Sequence, residues 1–258
     1  MTKQTDNPIN DIETLFQWYK LVYGDSFFVE GQITSPGELT YSGSRPAAAS
    51  MPHPRKPQPE KSALRKKSRK REPQRSPELE AFYQEIKDCR RCPLSKTRNN
   101  FVFGNGHPQA RVVFIGEAPG QEEDLQGIPF VGRAGKLLDK MLQAIGLSRD
   151  DVYIANVLKC RPPGNRDPLP DEIIECEPYL KKQLEIIKPK VLVALGRVAG
   201  KVLTREEKSL RELRETQNDY QGIPLIVTYH PAALLRNPQW KQNAWADFKK
   251  IKNMLRDG

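Results

Sequence analysis

Four cysteines, Cys89, Cys92, Cys160 and Cys176, are the residues of this chain whose type and spacing most directly imply chemistry. The first two form a C-x2-C at the end of an expected helix, and the second two are separated by fifteen residues. Four converging thiolates suit a tetrahedral zinc or a 4Fe–4S cluster. No histidine neighbours them in sequence, which favours the cluster, although spacing alone leaves zinc as the alternative. Three polar, Gly- and Pro-rich segments stand out beside them. They are Gly116-Glu-Ala-Pro-Gly-Gln-Glu-Glu-Asp-Leu-Gln-Gly-Ile-Pro-Phe-Val-Gly132, Asn156-Val-Leu-Lys-Cys-Arg-Pro-Pro163 and His230-Pro-Ala-Ala-Leu-Leu-Arg-Asn237. Gly196-Arg-Val-Ala-Gly200-Lys201 is not a phosphate loop, because a Walker A loop needs four residues between its glycines and Ser or Thr after the lysine. Gly116-Glu-Ala-Pro-Gly120 likewise lacks dinucleotide-binding spacing.

The elements that must position these residues follow from hydrophobic patterning. Ser76-Pro77-Glu78 opens a helix that should reach about Asp88, with a cap and then Pro at the first helical position. Strands are expected over 110–116, 151–157, 191–195 and 223–229. Helices are expected over 135–145, 171–187, from Arg197, and over 239–255. Strands alternating with helices imply an α/β domain, three layers α/β/α around a central four-stranded parallel sheet. Ligands of such sheets bind beyond the carboxyl ends of the strands, which selects four loops: after Gly116, at 156–163, at 196–200 and at 230–237.

The hydrophobic fraction, 37%, falls short of an ordinary globular chain, so part of the sequence is expected to stay unpacked. The formal net charge of +10 is uneven: residues 1–50 carry −3 and residues 51–76 carry +8. The basic, Pro-rich stretch cannot bury enough surface to offset its chain entropy, and it reads as a disordered linker suited to tethering a polyanion. The expected organisation is an extension over 1–40 with one helix at 8–23 that docks on the domain or on a protein partner, a linker over 41–76, and a folded domain over 77–258. No stretch is apolar enough to span a membrane and no secretory signal is evident, so the expected compartment is the cytoplasm.

Taken together and in order, the three segments and the four cysteines resemble the family 4, iron–sulfur type, uracil-DNA glycosylases of bacteria and archaea. The resemblance covers roughly residues 76–258. It implies a monomeric DNA-repair enzyme, nucleoid-associated, that flips uracil out of single- or double-stranded DNA, hydrolyses its N-glycosidic bond and leaves an abasic site. The chemistry is consistent with the residues. As the bond breaks, the sugar becomes cationic and the uracil anionic, so the site must read the base edge, stabilise its oxygen and supply water.

On this resemblance Asn156 reads uracil, accepting from N3–H and donating to O4, a pattern that cytosine reverses. Phe130 stacks on the flipped ring, and Gly116 and Ala118 complete the base pocket. His230, neutral, donates to uracil O2. Glu117 positions or activates water, although better-known uracil glycosylases carry an Asp one position later, where this chain has Ala118. Glu123 crowds the 5-methyl position and excludes thymine. Leu234 is the wedge that fills the vacated stack, and Arg236 and Arg161, with Lys159 and Arg166, reach phosphates. Cys89, Cys92, Cys160 and Cys176 hold the cluster, which braces the loop beside Asn156 and does no redox work in catalysis. No lysine is placed for a Schiff base and no basic insertion is present for covalent sugar capture. The competing readings are a non-catalytic, metal-containing nucleic-acid-binding module of replication or repair and, last, an electron carrier.

Overall fold

The computed structural model describes residues 75–256. The helix expected over 8–23 and all but the end of the linker lie outside them. Among the described residues no helix is long and apolar enough to cross a membrane.

A six-stranded sheet organises the domain: β1 (Asn105–Gly106), β2 (Val112–Gly116), β3 (Tyr153–Asn156), β4 (Val191–Leu195), β5 (Asn218–Tyr220) and β6 (Ile223–Thr228), in the order β1-β3-β2-β4-β6-β5. The four expected strands are its parallel centre. The two edge strands pair antiparallel and were not anticipated. They are two and three residues long, Asn-Gly and Asn-Asp-Tyr, too short and polar for an alternating pattern. β5 returns into β6 through Gln221 and Gly222, both at positive φ, as a two-residue hairpin with native twist requires.

Eight helices are described: α1 (Pro77–Ile86), α2 (Gln121–Gln126), α3 (Arg133–Ala144), α4 (Pro170–Ile187), α5 (Arg197–Thr204), α6 (Leu210–Glu215), α7 (Pro231–Arg236) and α8 (Lys241–Arg256). α1 begins as its sequence predicts, with Pro77 in the first turn and the Ser76 hydroxyl accepting from the Leu79 amide at 3.3 Å. α2, α6 and α7 have six residues each, less than two turns, and show no readable periodicity.

Both sheet faces are covered. Val113, Ile115, Leu192 and Ala194 point toward Leu79 and Phe82 of α1 and Leu180 and Leu184 of α4. Val112, Phe114, Val191 and Val193 point toward Leu138 and Met141 of α3 and Trp245 and Phe248 of α8. Every residue of β2 and β4 is buried, which explains their uninterrupted apolar runs.

Two sequence expectations are corrected by burial. Leu234 is 0% exposed and belongs to the α3/α8 core, so it is not the wedge; the exposed leucine of α7 is Leu235, at 44%. Leu234 lies three residues after the buried Pro231, on the same inward face of the helix. Lys159 is fully buried and reaches no phosphate. Arg166 is exposed, and both oxygens of the buried Glu172 hold its guanidinium at 2.9 and 2.6 Å.

Candidate active site

A cavity of about 600 Å³ opens at the carboxyl ends of the parallel strands, lined among others by Glu117, Glu123, Phe130, Asn156, Gly196 and His230. Ala118 and Arg236 also face it, so the sequence-derived recognition and catalytic residues converge. Arg161 lies next to the lining residue Pro162 and donates to Asn165 at 2.8 Å. Leu234 is not part of the lining.

Asn156 ends β3, in register with Gly116 of β2. Its side chain is 1% exposed, and its buried Oδ1 has no hydrogen-bond partner. Such an orphan acceptor costs on the order of 1–3 kcal/mol unless a ligand satisfies it. A Cβ on Gly116 would stand 2.4 Å from that oxygen and 2.7 Å from the Phe130 ring. Glycine at 116 therefore keeps the carboxamide and the ring within one small space.

Phe130 is 6% exposed and adopts φ 54°, a strained backbone for an aromatic residue. Several contacts hold it there. Glu123 Oε1 accepts from the next two amides, Val131 at 2.8 Å and Gly132 at 2.9 Å. Arg149 donates to the carbonyls of Pro129, at 3.1 Å, and of Phe130, and is itself anchored on Asp139 at 2.5 Å. Gly135 has no Cβ because one would lie 1.7 Å from the Phe130 carbonyl oxygen. Glu123 thus secures the aromatic wall while also facing the cavity. Nothing in its sequence context marked Arg149 for this task.

His230 caps α7. Its Nδ1 accepts from the Ala232 amide at 3.1 Å, which leaves the proton on Nε2. Burial, reinforced by Arg236 and opposed by Glu123, pulls its pKa down to about 4, so the imidazole is neutral at physiological pH. Its ring lies 5.4 Å from that of Phe130. Two features position it. Gly196 has φ 97°, and a Cβ there would meet the His230 Cβ at 2.9 Å. Thr228 donates at 2.7 Å to the buried Asp247, which Arg214 grips at 2.8 and 3.0 Å. In sequence Gly196 stands both in a rejected phosphate loop and in one of the strand-end loops where a ligand is expected.

Glu117 is half-buried at the cavity wall. Burial, with the nearby Asp167 carboxylate, pushes its pKa up to about 7, and Arg197 opposes the shift. Arg197 and Asp167 form an exposed ion pair at 3.3 Å at the rim. A neutral donor, an orphan acceptor, an aromatic face and a poised carboxyl therefore share one pocket. Such a set can bind a planar heterocycle and stabilise charge separating along a breaking bond.

The four cysteines are drawn into one neighbourhood: Cys160 lies within electrostatic reach of Cys89 and Cys92, and Cys176 of Cys160 and Cys92. Among the described residues no three Cys, His, Asp or Glu side chains already adopt an ion-holding arrangement. The surroundings nevertheless fit sulfur-bound metal. Arg98 donates to Cys160 Sγ at 3.1 Å, the Lys159 amide to Cys176 Sγ at 3.2 Å, and the Tyr179 hydroxyl to Cys89 Sγ at 3.2 Å. Burial pushes the Cys176 thiol up to about 12 and raises the Cys160 thiol as well, so these two sulfurs hold their protons unless a cation displaces them.

With this geometry established, comparison with known proteins is informative. The Uracil DNA glycosylase superfamily family model matches residues 103–249. A type-4 uracil-DNA glycosylase of Archaeoglobus fulgidus is 49% identical over 181 residues, spanning 67% of this chain and 91% of that protein. The type-4 enzyme of Thermotoga maritima is 43% identical over 182 residues, 69% of this chain and 95% of its own length. A type-5 uracil-DNA glycosylase of Thermus thermophilus is 32% identical over 189 residues, 58% of this chain and 85% of that protein. The matched region contains the whole cavity, and the chain belongs to the uracil-DNA glycosylase superfamily, on its type-4 branch.

Proposed function

We propose that this chain is a DNA-repair hydrolase that cleaves the N-glycosyl bond of uracil in DNA and leaves an abasic site. The observation that carries the reading is the buried, unpartnered Oδ1 of Asn156 facing the cavity. It matches the N3–H of an everted uracil, while the Asn156 amide donates to O4; cytosine presents the opposite pattern. Phe130 supplies the stacking face. The Nε2–H of neutral His230 donates to O2 as negative charge develops there. Glu117, when ionised, stabilises the sugar cation and orients the attacking water. Glu123, by setting the aromatic wall, fixes the space opposite C5 and so excludes a methyl group. Arg161 and Arg236 contact backbone phosphates. No lysine lines the cavity among the described residues, which supports a monofunctional reaction without a Schiff base.

Cys89, Cys92, Cys160 and Cys176 would hold a 4Fe–4S cluster, which supplies a structural clamp on the loop that follows Asn156. Tetrahedral zinc is the alternative. Visible charge-transfer absorption with bound iron and sulfide is the expected result; colourless protein carrying stoichiometric zinc would replace the cluster assignment.

The activity test is incubation with a uracil-containing oligonucleotide followed by alkali. Strand scission at the uracil position is expected. Duplex binding without scission would instead make the chain a non-catalytic nucleic-acid-binding module.

A further inference from the structure

We propose that Lys159 is a positioning residue, whose buried ammonium braces the Asn156 carbonyl against Gln183 and thereby links the alignment of the uracil-reading carboxamide to the cysteine loop. The inference rests on the assignment of base reading to Asn156.

The geometry is specific. Lys159 Nζ donates to Asn156 O at 2.8 Å and to Gln183 Oε1 at 2.7 Å. Lys159 and Gln183 are both 0% exposed. Gln183 is itself fixed, donating to Phe103 O at 2.8 Å and to the Tyr153 hydroxyl at 3.3 Å. The Lys159 backbone belongs to the cysteine site: its amide donates to Cys176 Sγ at 3.2 Å, its carbonyl accepts from Val102 at 2.8 Å, and Cys160 follows it in sequence.

A buried lysine carries a large desolvation cost, and neither acceptor bonded to its ammonium is a carboxylate. An arrangement serving stability alone could place an apolar side chain here. What the ammonium does instead is hold the carbonyl of the last β3 residue, the residue whose side chain carries the orphan acceptor. A small rotation of that peptide would swing Oδ1 across a cavity where Gly116 leaves no slack. The same residue touches the metal-type sulfur on one side and the recognition residue on the other, so order in the cysteine loop reaches the base pocket through one side chain.

The test uses full-length, metal-loaded protein and reads free uracil as a competitive inhibitor of oligonucleotide cleavage, beside visible absorption, iron content and affinity for abasic-site DNA. Lys159→Met is expected to weaken uracil inhibition at least about tenfold, the factor for losing a hydrogen bond to a charged group in a rigid site. Absorption per protein and abasic-DNA affinity are expected to stay at wild-type values. Gln183→Met frees one side of the brace and is expected to shift uracil inhibition in the same direction by a smaller factor; it carries the test if Lys159→Met does not fold. A purely structural role would lower the melting temperature of both variants and leave uracil inhibition unchanged, which overturns the proposal. Loss of inhibition only in proportion to lost iron also overturns it. Asn156→Asp separates the premises. If that variant keeps wild-type uracil inhibition, the base-reading assignment falls and this inference with it. If it loses inhibition while the Lys159 and Gln183 variants do not, only this inference falls.

Discussion

The floor of the cavity and its rim are built from opposite materials. The floor consists of Phe130, Asn156 and His230, with Gly116 packed against the first two, uncharged groups of which Asn156 is 1% and Phe130 6% exposed. The rim carries charge: Arg236 is exposed, and the side chains of the Arg197–Asp167 pair are 54% and 70% exposed. Between them stands Glu117, half-buried, with its pKa lifted to about 7. Floor groups act through fixed geometry in a water-poor space, where an unpaired or displaced atom is costly. Rim charges act through a field that solvent and salt screen. Recognition and chemistry should therefore fail sharply when the floor is altered, and DNA affinity should fail gradually when the rim is altered.

The contrast is tested most severely at the floor. Asn156→Ala and His230→Ala should each lower kcat/KM on uracil-DNA by about 10²–10³-fold, the scale for removing one preorganised donor or acceptor at developing charge. Single-turnover excision measures this, and near-normal rates in both variants would remove the floor from the mechanism. Gly116→Ala should lower excision by about 10²-fold, because the added methyl would displace the carboxamide and the ring by a fraction of an ångström or more. Retention of activity there would show that the floor is pliant.

The boundary group is tested by pH. With Glu117 in its proposed role as a carboxylate, kcat/KM should rise about tenfold per pH unit up to about 7 and then level off, and Glu117→Gln should flatten that rise. A rate that falls between pH 6 and 8 in wild type would place the essential ionisation elsewhere. Stability moves in the opposite sense. The folded-state pKa lies above the unfolded value, so the favourable neutral form is fully present below the unfolded value and is lost as pH rises through the folded one. Glu117→Gln should accordingly stabilise the protein above pH 7, by about 1–2 kcal/mol after allowance for partial exposure, read as a rise in Tm.

The smallest effect is expected at the rim. Arg236→Ala and Arg161→Ala should each raise KM a few-fold and reduce the slope of log affinity against log salt by about 1. An unchanged slope would remove that arginine from the DNA contact.

Much of this architecture was legible in the residues. The four parallel strands announced themselves through runs such as Val191-Leu-Val-Ala-Leu195, because a strand covered on both faces can be apolar at every position. Asn156, Phe130, Glu117 and His230 stood in unusual segments at strand ends, and the sheet brought them to one cavity. Edge strands β1 and β5 were not legible, since so few residues carry no period. Arg149 was not legible either: its value lies in reaching two carbonyls twenty and nineteen positions earlier in the chain, a relation that exists only after α3 has packed.

Chain order alone determined which chemical groups were available and which long segments would be strands or helices, because periodicity and motif spacing are local properties. Folding decided which of two adjacent leucines faces outward, that Lys159 holds a strand end instead of a phosphate, and that Phe130 sits at φ 54° under the grip of Glu123 and Arg149. Those outcomes depend on what lies opposite each side chain across the packed layers, and burial and desolvation act on that neighbourhood rather than on the residue type.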